Sequence, residues 1–243
     1  MPNQLVELVR RWIEWGKVDA QSMPEIESIE AGFSGFGDPT RPGIDPRVIR
    51  SWEGRHGFNL PDGLRDWLAL SNGLYRGSPI IHPISAIGPM VPFARVPGMI
   101  VQPESWFELG NPNVETVCID LGYRWPGQGH TIFTSGDDAS GSPPRIIAKS
   151  FEEWFLELLA QGGREYWFAP GFVSLGDPWE AHRRHVPPPD LPERLMKLAD
   201  RVRPLMKREV DERAIANELG ISRTELELLF RYLQHRAPGL SAS

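Results

Sequence analysis

His182 and His185 stand three residues apart, a spacing that can put two imidazoles on one helical turn and offer a metal ion two ligands. No cysteine pair or further histidine cluster supplies the rest, and Arg183 and Arg184 between them favour a solvated, charged turn. No metal site is expected. Asp137 and Asp138 sit in a Gly/Ser-rich stretch, SGDDASGSPP, that lacks the alternating oxygens of a calcium loop. They read as the tip of a polar hairpin loop and as candidates for contact with a protein partner. Gly32, Gly35 and Gly37 invite comparison with a phosphate loop, but their spacing fits neither glycine fingerprint and no clear strand precedes them.

Catalysis finds no constellation. The chain has no G-x-S-x-G and no glycine loop closing on Lys-Ser/Thr. Its one cysteine, Cys118, falls mid-strand between Val117 and Ile119, which does not suggest an activated thiolate. Carboxylates such as Asp120 and Glu153 are scattered along the chain. The expectation is a protein without catalytic activity and without a cofactor.

Nucleic acid has one hint. In AIANELGISRTELELLFRYL, Ala216, Gly220 and Leu226 take the small, turn and buried positions of a helix-turn-helix, which the segment resembles. Arg223, Thr224 and Arg231 would then be the nucleic-acid-binding candidates. Glu225 can complete a capping box with Ser222, but Glu227 would face phosphates repulsively. Residues 194–243 hold ten Lys/Arg against seven Asp/Glu, a balance of +3 that is modest for a DNA reader. A bundle used for packing or protein contact is the stronger expectation there.

The elements that must position these residues follow from hydrophobic period. Residues 3–15 read as an amphipathic helix, and 22–43 dissolve into Gly, Pro and acids. Asp45 and Pro46 open a helix bearing Val48, Ile49 and Trp52, and Gly57 stops it. Pro61 opens a second helix, with Leu64, Trp67 and Leu68 on one face. Residues 79–101 alternate apolar residues with five prolines, which suits short edge strands. Strands are expected around 106–110, 117–121, 130–133 and 145–148, and Ser150 with Glu153 boxes a helix carrying Phe151, Trp154, Phe155, Leu158 and Leu159. Trp52, Trp67, Trp106 and Trp154 read as core.

The order W-E-x-x-x-G-x-x-L-P-x-x-L-x-x-W-L-x-L-S-N-G, from Trp52 to Gly73, resembles the SUKH superfamily. That superfamily includes yeast cell-wall assembly regulators and many bacterial toxin-immunity proteins. The W-F-E-L-G and V-C-I-D-L segments and the S-F-E-E-W-F-L start of the late helix add to the likeness, which spans about residues 45–160. The resemblance implies an α+β domain with helices packed on one antiparallel sheet. It implies action by binding other proteins, often by neutralising a toxin such as a nuclease, and it transfers no site residues.

On this reading, residues 1–163 form the SUKH-like domain, 164–190 an aromatic then proline-rich connector, and 191–238 a small all-helical segment. The 243 residues carry a net charge of −6 and are 40% hydrophobic, enough for a core and unsuited to wholesale nucleic-acid or anionic-membrane binding. Residues 1–193 carry −9, which would complement a basic toxin. A lone cysteine and the absence of a signal peptide or membrane span lead to an expected cytoplasmic location.

Overall fold

The computed structural model describes residues 41–76, 78–90, 101–112, 115–136, 141–161, 163–205 and 211–236. The expected 3–15 helix, the Gly32–Gly37 stretch, and Asp137 with Asp138 lie outside them. The fold is α+β: a four-stranded antiparallel sheet and a two-stranded one, with helices packed against them.

Helix α1 (Pro46–His56) starts where Asp45 accepts a hydrogen bond from the Arg47 amide at 2.7 Å. It ends at Gly57, whose φ of 74° suits a residue without Cβ and lets its N–H reach the Glu53 carbonyl. Helix α2 (Asp62–Leu70) follows a corner locked by one side chain. The Glu53 carboxylate accepts from the Leu60 amide at 2.9 Å and from Arg65 Nε at 2.8 Å. Trp52 beside it donates its indole N–H to the Ile87 carbonyl at 2.9 Å. Glu53 thus ties α1 to α2, and Trp52 ties α1 to the turn that follows β2, both structural tasks.

Strands β1 (Leu74–Arg76) and β2 (Ser78–Ile81) make the small sheet. The main sheet is a meander of β3 (Trp106–Gly110), β4 (Val117–Arg124), β5 (His130–Thr134) and β6 (Arg145–Ala148), in that order. The small sheet abuts it, with His82 N–H donating to the Leu109 carbonyl and Asn111 N–H to that of Pro79. Helix α3 (Phe151–Ala160) begins at Ser150, whose hydroxyl accepts from the Glu153 amide at 3.1 Å. Glu153 reaches back to the Lys149 N–H.

Period two along the strands sends side chains to both sides of the sheet. Phe107, Ile119, Ile132 and Ile147 meet α1, α2 and α3 in a core that includes Trp52, Trp67 and Trp154. Trp106, Cys118, Phe133 and Ile146 point the other way. That second face is covered by α4 (Pro178–His185), whose Trp179 packs edge-on to Trp106 at 6.5 Å between centroids. Cys118 is fully buried there, and burial, with Glu108 nearby, pushes its thiol well up. Before α4, a single 3₁₀ turn (Tyr166–Phe168) returns Trp167 to the first core.

The C-terminal helices have their own core of Leu195, Val202, Ile215, Leu226, Leu229 and Phe230, into which Val101 inserts. The helical segment expected from residue 191 begins with two short helices, α5 (Glu193–Met196) and α6 (Ala199–Val202). Between them the Leu198 amide turns back to the Leu195 carbonyl, an i→i+3 closure that tightens the turn. Helix α7 (Glu212–Leu219) is capped by Asp211 and closed by Gly220 at φ 66°. The capping box of Ser222 and Glu225 then opens α8 (Arg223–Arg236). Among the described residues no helix is long and apolar enough to cross a membrane.

Candidate functional site

Helices α2 and α3 lie side by side over one sheet face, joined at their inner edges. Trp67 and Phe155 meet edge-on at 4.8 Å, and Glu152 accepts a hydrogen bond from the Gly63 amide at 2.9 Å. Their outer sides therefore form one surface. Asp62, Asp66 and Leu70 of α2 and Glu153, Leu156 and Glu157 of α3 are all exposed. Arg65 of α2 is engaged by Glu53 at 2.6 Å and Asp62 at 3.2 Å. The potential is felt inward: burial, then the charges of Glu153 and Glu157, push the Tyr166 phenol far above its ordinary value. Exposed acids and exposed aliphatic side chains on neighbouring helices are chemistry suited to a basic protein surface.

The opposite sheet face holds a buried polar cluster. Asp120, on the Cys118 side of β4, receives Ser105 Oγ at 2.8 Å and the amides of Gly122 at 2.8 Å and Tyr123 at 3.2 Å. Its second oxygen meets His182 Nδ1 of α4 at 2.6 Å. Burial works to raise this carboxyl. The hydrogen bond and charge of His182, with the Ser105 hydroxyl, outweigh it and hold the group below the ordinary carboxylate value. Ser105 donates to the carboxylate and has no hydrogen bond to the imidazole, so the linkage is a tie between α4 and the sheet. A nucleophile and its base would share a hydrogen bond.

The solvated turn expected at His182 and His185 is corrected for His182, which is buried; His185 is exposed and stacks on Tyr123 at 4.7 Å between centroids. Once α4 covers the sheet, a carboxylate on that face needs a partner, and i→i+3 spacing places Trp179 and His182 together on the inner side. Among the described residues no group of three or more His, Cys, Asp or Glu converges as metal ligands.

Beside this cluster a cleft of about 220 Å³ separates the sheet domain from α8. Across it, Arg231 Nε donates to the Gln102 carbonyl at 3.1 Å, and its guanidinium lies 3.8 Å from Glu104. His235 Nε2 lies 2.6 Å from the Val186 carbonyl. Arg231, a nucleic-acid candidate, is therefore part of the junction between α8 and the segment that leads into β3. Arg223 is exposed but held by Glu227 at 3.1 Å and Glu212 at 3.6 Å, and Thr224 is exposed beside it. Glu227, without an evident task in the sequence, is the i+4 partner of Arg223. No protein-family model matches the chain, and no curated protein is significantly similar to it.

Proposed function

We propose that the chain is a non-catalytic protein-binding module of the immunity type, and that the outer α2–α3 surface receives a basic protein, a nuclease toxin being the chemistry that fits best. The observation that carries this reading is the set of exposed acids Asp62, Asp66, Glu153 and Glu157 on two adjacent helices, with the neighbouring arginine already paired. The resemblance of residues 45–160 to SUKH domains supports the same mode of action. So does the charge of −9 over residues 1–193, which would steer a cationic partner into encounter. The buried Asp120–His182 tie and the Glu53 corner have structural tasks, so the reading needs nothing from them.

The test is affinity purification of the tagged full-length chain from its host, beside an Asp66→Lys/Glu157→Lys variant. The wild type is expected to retain one stoichiometric, strongly basic protein. Against that purified partner, the variant should associate about tenfold more slowly at low salt, with the gap closing as salt rises. A partner that is acidic, or one bound equally by both chains, would overturn the reading.

A further inference from the structure

We propose that a second surface, the groove between α1 and the turn at residues 82–88, docks an acidic, aliphatic peptide segment of another protein. This does not rest on the α2–α3 reading, because the groove has the opposite charge and lies on a different helix.

The groove encloses about 330 Å³. Arg47, Ser51 and Arg55 stand along one of its walls at i, i+4 and i+8, and the exposed Ser85 lines the facing turn. Its apolar lining comes from Val48, which is 46% exposed, and from Trp52 and Ile84, which are buried. Arg55 is exposed and has no ion pair among the described residues. Burial, and after it the positive charge of Arg55, hold the neighbouring His56 below the ordinary histidine value. Arg47 has Asp45 at 3.6 Å, a contact between side chains 83% and 53% exposed and therefore weak. Two guanidiniums in this chain thus flank an apolar strip without firm internal partners. The chain as a whole carries −6, so this cationic strip is a local exception to its charge.

The spacing describes the occupant. Eight residues of helix separate the two arginines by about 12 Å along the axis. An extended peptide rises about 3.3 Å per residue, and side chains at i, i+2 and i+4 share a face. A segment with acids four residues apart and an aliphatic residue midway would meet both arginines and Val48 at once. The apolar lining argues against a phosphate backbone, which has nothing to bury there, and the negative total charge opposes nucleic acid at long range.

The experiment pans a random peptide-display library on the full-length chain and then on Arg47→Glu/Arg55→Glu. Both positions are exposed, so the variant should fold, and far-ultraviolet circular dichroism checks that it does. The wild type is expected to enrich sequences with two acids flanking an aliphatic residue. The strongest peptide, resynthesised with a fluorophore, should bind at least about tenfold more weakly to the variant and to Val48→Asp. No acidic enrichment, or equal binding by the charge-reversed chain, would falsify the proposal. Displacement of the peptide by duplex DNA with a steep salt dependence would replace the occupant by nucleic acid. A concentration-dependent dimer lost in the variant would replace it by a second copy of this chain, whose α2–α3 acids are complementary. Either result overturns the peptide reading.

Discussion

Replacing Asp120 by alanine is expected to destabilise the fold by about 3–5 kcal/mol, because it removes one partner of a buried pair and strands the rest. His182 would face an empty site, and the Ser105 hydroxyl and the Gly122 and Tyr123 amides would lose their acceptor. For a chain of this length the loss corresponds to a fall in Tm of about 10 °C. Its pH dependence follows from the direction of the carboxyl shift. A group held lower in the folded chain than in the unfolded one contributes fully above its unfolded pKa. That contribution disappears as pH falls through the folded value. Urea titrations should therefore show the wild type well above Asp120→Ala at pH 7 and the two converging in acid. Asp120→Asn keeps oxygen acceptance and should lose less. A gap between wild type and Asp120→Ala that stays constant from neutrality into acid would remove the charge from this account.

Gly110→Ala should cost about 3 kcal/mol, the upper end for overpacking. A Cβ at this position would lie 2.0 Å from the Ile80 carbonyl oxygen and 2.6 Å from its carbon. Both are backbone atoms, so no rotamer change relieves the clash. Hydrogen bonds on either side, His82 N–H to the Leu109 carbonyl and Asn111 N–H to that of Pro79, hold the two sheets at that distance. The added methyl has to part them. Calorimetry on the purified variant reads the loss. Unchanged melting would mean that β2 and β3 separate without cost. Gly57→Ala provides the contrast: no atom lies within 4 Å of its Cβ, so any cost there comes from a backbone at φ 74°.

Local chemistry made much of this fold readable in advance. The Asp45 and Ser150 caps, the Gly57 stop and the burial of the four tryptophans each depend on neighbours a few residues away or on strict period. What escaped depends on long-range closure. Asp120 and His182 are 62 residues apart and meet because α4 folds over the second sheet face. The aromatic residues of 164–190 favour packing back on the sheet, but their composition leaves open which face they cover and which strand residue they meet. The two roles of Glu53 are similar: the residue belongs to a recognisable string, but its reach to Leu60 and Arg65 depends on the angle of the corner it stabilises. Arg231 looked like an outward cation because a recognition helix would present it. Docking of α8 against residues 101–104 turns it inward. The α2–α3 acids were visible as residues and became a surface once the two helices lay side by side.

Both faces of the main sheet are covered, and this gives the molecule a timer of its own. Cys118 has no surface in contact with solvent, and its thiol resists ionisation where it sits. A thiol reagent added to the native chain has to wait for the sheet to open, so the rate of modification counts openings. With one sulfhydryl in the chain, every labelled molecule marks the same event, without engineered probes. Labelling should stay slow in the wild type and quicken in Asp120→Ala, where α4 has lost its tie to the strand that carries the cysteine.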